Sequence, residues 1–300
     1  MGSILLETII PIFGIIAIGW ALGRTKVITR AGVKVLTDYV YYVGFPALVF
    51  MSLRKVDLAS LLNPRLYFVN FAGIFIMMGI AYAVAVAFKL EGGLRAVFIL
   101  CAFSGNVAYM GFPLNRLALG EGAMPYASLT VAIYFIATMT FGVLMLGRYS
   151  GSRTSVATWI WKVPLIWGLI LGLIYSWARL PLPFPQLWAM IADSASPVAL
   201  IAMGAFLCGT RLGESRTWIA LVTFLKLILH PLLVLLISMP LNFTGLAFKS
   251  SILQASTPVA VFMFILAHQF GVESDFAADA IVTTTLASVA TLSLLLHLIV

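Results

Sequence analysis

Two stretches hold the residues whose types and spacing could do chemistry: "SGNVAYMGFPLNRLALG", 104 to 120, and "LQASTPVAVFMFILAHQFG", 253 to 271. Each is apolar enough for a membrane span, yet each is interrupted. Ser104, Gly105, Asn106, Gly111 and Pro113 break the first; Ser256, Thr257 and Pro258 break the second. A helix broken in lipid exposes backbone N–H and C=O groups at several kcal/mol each, so breaks survive only where protein or a wet cavity satisfies them. Pro258 removes a donor and clashes with the carbonyl four residues back, Gly105 accepts unwound dihedrals, and Pro113 unpairs another carbonyl one to two turns on. Two half-helices crossing at the midplane would aim freed N–H groups and positive dipole ends into one space, with Asn106, Ser104, Ser256 and Thr257 as side-chain donors. Such a space suits a carboxylate. Ordinary kinking is the rival explanation, since Gly and Pro are more frequent in membrane helices than in soluble ones.

Charges within spans are functional candidates by default, and Glu7, Asp38, Asp193, Lys226, His230 and Asp279 qualify. Lys226 and His230 share one helix face at i, i+4, with Lys226 near the midplane. An ammonium there must pair, deprotonate or line water. It could compensate a substrate's charge or act in coupling, or it could pair with Asp193 or a broken-helix carbonyl. Asp38 and Asp193 lie near the starts of their spans, each shortly before a proline. A proton-sharing protease pair is rejected because opposite orientation should hold them near opposite faces, where they cap helices or snorkel. Asp279 reads as interfacial. Cys101 and Cys208 fall inside spans, as small core residues. There is no phosphate loop, metal cluster or nucleophile elbow, so no cofactor or metal is expected, and ATP-driven transport and most catalysis are removed.

The elements that must position these groups follow from composition. With 62% hydrophobic residues, 9% charged and a mean hydropathy of +1.10 over 300 residues, the chain is an integral membrane protein. Long apolar runs without dyad alternation make it all-α. Ten spans are expected, roughly 4–23, 33–53, 66–88, 95–118, 124–147, 156–178, 187–209, 217–239, 246–270 and 276–299. Eleven Lys and Arg follow the odd-numbered spans and six follow the even-numbered ones, which places the central loop in the cytoplasm and both termini outside. The +8 net charge is therefore loop charge, with no nucleic-acid partner implied. Residues 1–147 and 156–300 become two five-helix repeats of opposite orientation joined by 148–155. A shift of 151 residues lays Pro46 on Pro197, Gly120 on Gly271 and the first interrupted span on the second, Asn106 falling on Thr257. Paired Gly/Pro-interrupted segments in two halves point to a secondary transporter's binding site.

The chain resembles the auxin efflux carrier family, which joins plant auxin exporters to bacterial malonate and malate permease-like proteins. The resemblance is carried along the whole chain by "YYVGFPALVFMSL", "GNVAYMGFPL", "ASPVALIAMGAFL", "LKLILHPLL" and "STPVAVFMFILAHQFGVESDFAADAIVTTTL". It implies ten helices in two inverted repeats, similar to bile-acid symporters and sodium/proton antiporters. Spans 1, 2, 6 and 7 would form a dimerising scaffold, and 3 to 5 with 8 to 10 a moving transport unit. Carboxylates would bind where spans 4 and 9 cross. Asn106 matches the family's substrate-contacting Asn, Pro113 and Pro258 its span 4 and span 9 prolines, and Lys226 a Lys of the bacterial branch; Tyr109 lies in the same motif. Two departures are Gly105, where auxin carriers place Pro, and Asn70, where they place an ionisable Asp. Without a long central loop the chain looks like the bacterial branch. The resulting expectation is a secondary carrier of small organic anions in the bacterial inner membrane, working by elevator-like alternating access as a homodimer. A sodium-coupled bile-acid-type symporter is the alternative, and an intramembrane protease or receptor the distant one.

Overall fold

Pro64, Pro164 and Pro185 each open a helix, where the missing N–H is an orphan donor in any case. Side-chain caps serve two of the helix starts: Asn63, just before Pro64, accepts from the Arg65 N–H at 3.0 Å, and Thr29 accepts from the Gly32 N–H at 3.2 Å. The computed structural model describes residues 2–57, 61–150, 162–209 and 216–299. Arg153, Arg211 and residues 151–161 of the expected connection and sixth span lie outside them. Residues 148–150, expected in the connecting loop, continue the preceding helix.

The helices are α1 (Gly2–Arg24), α2 (Arg30–Leu53), α3 (Pro64–Ala87), α4 (Gly92–Phe103), α5 (Gly111–Leu119) and α6 (Met124–Ser150). They are followed by α7 (Pro164–Ala178), α8 (Pro185–Cys208), α9 (Arg216–Ser238), α10 (Gly245–Ala255), α11 (Val261–Phe270) and α12 (Ser274–Ile299). Among the described residues there is no strand, only an isolated bridge between Gly105 and Val259. Among the described residues seven helices are long and apolar enough to cross a membrane, against ten expected spans. The shortfall comes from the breaks, which leave α4 and α11 at 12 and 10 residues, and from α7 at 15 residues.

Packing divides the helices into two groups. In one, α1 lies along α8 and α2 lies against both α7 and α8; in the other, α3, α4, α6 and α9 to α12 pack mainly on one another, with α5 between α6, α10 and α1. Small residues permit the closest approaches. A Cβ at Gly204 would stand 2.0 Å from the Ile16 carbonyl oxygen, and one at Gly19 would stand 2.3 Å from that of Ile201.

Two π-helical turns, Val40–Gly44 in α2 and Leu225–Leu229 in α9, share a cause. Each precedes a proline, Pro46 or Pro231, whose ring would clash with the carbonyl four residues back, and the widened turn relieves that clash. The half-helices α5 and α11 stop alike. Gly120 and Gly271, superposed by the 151-residue shift, take φ of 79° and 67°, where a side chain would be strained.

The aspartates correct an expectation. Asp38 and Asp193 are not held near opposite faces, because α2 and α8 cross where their neighbours meet: the Tyr39 hydroxyl and Ser194 Oγ are 2.6 Å apart. Each aspartate stands eight residues into its helix, past Arg30 and past Pro185, and neither caps it. Separate cations occupy them, Lys34 for Asp38 and Arg116 for Asp193.

Candidate functional site

Both expected breaks are present, and they meet. Segment 104–110 separates α4 from α5, and 256–260 separates α10 from α11. The Asn106 N–H donates to the Pro258 carbonyl at 2.7 Å, and the Ala260 N–H donates to the Ser104 carbonyl at 3.0 Å. The two extended strips thus satisfy each other, and the Val259 N–H is taken by Thr284 Oγ1 at 3.0 Å. This answers how an unwound backbone survives in an apolar interior: its groups are paired across the crossing. It also trims the expectation that the freed N–H groups would all face one space.

The hydroxyls at the crossing are mostly engaged. Ser256 Oγ donates to the Ile252 carbonyl at 2.7 Å and Thr257 Oγ1 to the Gln254 carbonyl at 2.7 Å, closing the last turn of α10. Ser104 Oγ is 2.9 Å from Thr138 Oγ1. Asn106 differs. Among the described residues its amide nitrogen reaches only the Met203 sulfur at 3.2 Å, a weak acceptor, so the buried Asn106 holds the least committed side-chain donor of the four. Pro113 does not unpair an interior carbonyl as expected; it is the third residue of α5, within the first turn, where proline is tolerated. Tyr109 sets its ring 5.3 Å from that of Phe45 on α2 at a tilt of 57°, joining the break to the neighbouring group of helices.

Lys226 arrives from the π-turn of α9 and is fully buried. Its Nζ donates to the Ala255 carbonyl, the end of α10, at 2.6 Å, and lies so near Gly105 that a Cβ there would stand 3.2 Å away. His230 Nδ1 is 3.5 Å from that Nζ, and His230 Nε2 is 3.1 Å from the Tyr134 hydroxyl. Lys226 takes part in none of the ion pairs found among the described residues. Of the two partners weighed for it, the broken-helix carbonyl is the one it has. Asp193 is engaged by Arg116 Nη1 at 2.8 Å, and Arg116 also reaches Glu121. Asn70 is buried away from the bridge, its Nδ2 donating to Leu66 O at 2.8 Å and to Ser251 Oγ at 2.9 Å, which ties α3 to α10.

Sequence reasoning missed a second polar cluster. Asn115 Nδ2 donates to the Gly111 carbonyl at 2.8 Å, and a Cβ on Gly111 would fall 1.9 Å from Gln254 Oε1, so both amides converge on Gly111. Asn115 Oδ1 and both amide atoms of Gln254 are buried without a hydrogen-bond partner among the described residues. Lone amides in otherwise apolar spans were the available signal.

Comparison with known proteins finds matches along almost the whole chain. A model of a family described as membrane transport protein matches residues 4–159 and 152–296. A Rhizobium meliloti protein named "Putative malonate transporter" is 28% identical over 97% of this chain and 94% of its own length. An "Uncharacterized transporter" of Methanothermobacter thermautotrophicus is 26% identical over 98% of this chain and 97% of its own. The "Uncharacterized transporter YfdV" of Escherichia coli K12 is 26% identical over 96% of each.

Proposed function

The chain belongs to the membrane transport protein family, an auxin efflux carrier-like family, and from that premise we propose that it is a secondary carrier of small organic anions, with the crossing of 104–110 and 256–260 as its binding site. The observation that carries the reading is the paired break: two half-helices held by the Asn106–Pro258 and Ala260–Ser104 bonds at 2.7 and 3.0 Å, beside a buried Lys226. A dicarboxylate such as malonate, named in the Rhizobium relative, would use the Asn106 amide and the charge of Lys226. Ser104, Gly105, Tyr109, Pro113, Ser256, Thr257 and Pro258 would shape the site around them.

The alternation follows the packing groups. α1, α2, α7 and α8 would form a fixed, dimerising scaffold, and the remaining helices would carry the crossing past it in an elevator-like movement within the cytoplasmic membrane. The matching stops at Gly120 and Gly271 support two inverted five-helix repeats, with both termini outside and the central loop in the cytoplasm. No enzymatic step is assigned.

The test is flux of labelled malonate and malate into proteoliposomes. Asn106→Ala and Pro258→Ala should each lower flux at least tenfold while eluting as folded protein. Unchanged flux in both variants would refute the site. One observation favours a second reading, sodium-coupled symport: the unpartnered oxygens Asn115 Oδ1 and Gln254 Oε1 are hard ligands of the kind a small cation takes. Flux that is the same with sodium and with choline as the bulk cation would eliminate it.

A further inference from the structure

Away from the crossing, where α2 and α7 end side by side, a cavity of about 830 Å³ opens to the surface. Arg54, Lys55 and Arg179 line it, with Asp57 as the one acidic residue among the lining, so the wall carries a net charge of +2. None of the three cations belongs to an ion pair found among the described residues. Among the described residues Arg54 Nε donates only to the Met51 sulfur at 3.3 Å, and Arg179 closes α7 in the left-handed region at φ 49°, a conformation uncommon for a non-glycine. Next to this cavity runs a groove of about 360 Å³ lined by Leu61, Leu62, Leu129, Leu173 and Ile174, with the ring of Tyr67. Trp177, 77% exposed, forms part of both walls.

We propose that this paired cavity and groove is a binding site for an anionic phospholipid of the surrounding bilayer, the phosphate among Arg54, Lys55 and Arg179 and an acyl chain along Leu129 and Leu173. The order of chemistry along the surface is that of the ligand: cations first, then an indole ring, then aliphatic side chains. Tryptophan is the side chain that prefers the headgroup level, and clustered guanidinium and ammonium groups bind a phosphate through charge-assisted hydrogen bonds. Distribution of charge adds a separate reason. In the orientation expected from the loops, six basic residues face away from the cytoplasm, and three of them gather here. That side is normally poor in Lys and Arg, so a cluster on it has a local partner. A free small anion would fill the cationic cavity and leave the groove unused; the continuity at Trp177 favours the lipid.

The full-length protein, purified in detergent, is exposed to phosphatidylglycerol or phosphatidylcholine with matched acyl chains, and bound lipid is counted by native mass spectrometry. Wild type should retain phosphatidylglycerol in preference. Arg54→Gln, Lys55→Gln and Arg179→Gln should each weaken it about fivefold, and the triple variant should bind both lipids alike. Leu173→Trp, which fills the groove, should weaken both lipids. Equal retention by wild type, or a preference undiminished in all three single variants, overturns the proposal. Displacement of the lipid by an equal concentration of glycerol phosphate also overturns it, since that identifies a site for free anions.

Discussion

A methyl group added at Gly105 probes the crossing most directly. Its carbon would stand 2.5 Å from Thr257 Oγ1, 3.2 Å from Lys226 Nζ and 3.3 Å from Lys226 Cε. Gly105 is not among the glycines with positive φ, so Gly105→Ala brings no backbone strain of its own and the whole effect is contact. Neither neighbour can retreat freely: Thr257 Oγ1 is bound to the Gln254 carbonyl at 2.7 Å and Lys226 Nζ to the Ala255 carbonyl at 2.6 Å. Overpacking a buried site costs about 1–3 kcal/mol, and losing one hydrogen bond about 1 kcal/mol more. We expect Gly105→Ala to destabilise the protein by about 2–4 kcal/mol, lowering its melting temperature by several degrees and malonate flux more than tenfold. Thr257→Ala removes the obstructing oxygen. In a double-mutant cycle read by thermal melting and flux, the pair should therefore recover about 1 kcal/mol relative to the sum of the single variants. Strict additivity would refute the geometry of the crossing.

Lys226→Met should leave the Ala255 carbonyl unpaired at a cost of about 1–3 kcal/mol and abolish the rise in melting temperature produced by saturating malonate. A persisting rise would exclude Lys226 from charge compensation. Gly204→Ala, whose Cβ would meet three backbone atoms of α1 at 2.0, 2.8 and 2.9 Å, should destabilise by about 1–3 kcal/mol, whereas Gly14→Ala, with nothing within 4 Å, should change the melting temperature little. Arg116→Gln and Asp193→Asn, at side chains 38% and 57% exposed, should couple by only about 0.2–1 kcal/mol and less at high salt; a larger coupling would mean the pair is shielded from solvent.

The crossing was legible in outline because its signals are local and costly. Polar residues and helix breakers in an apolar run are expensive, so Ser104 to Asn106 and Ser256 to Pro258 could be singled out before any geometry was known. The same logic found Lys226. It failed where competing local bonds decide direction: whether Thr257 Oγ1 turns to a ligand or back to the Gln254 carbonyl depends on the path of a chain that residue types do not specify. It failed again with the aspartates. Counting spans placed Asp38 and Asp193 near opposite faces, but where two helices cross is set by side-chain packing along their whole length, and Tyr39 and Ser194 are in hydrogen-bond contact.

By itself the sequence determined the solvent, the helical class and the two places where a helix must break, since each follows from the cost of exposing charges and peptide groups to lipid. Only the tertiary structure decided that Gly105 pairs with Val259, that a π-turn before Pro231 brings Lys226 to Ala255, and that Arg116 takes Asp193. Those contacts join residues from 29 to 154 positions apart, and an apolar helix can present the same face to many neighbours until packing selects one.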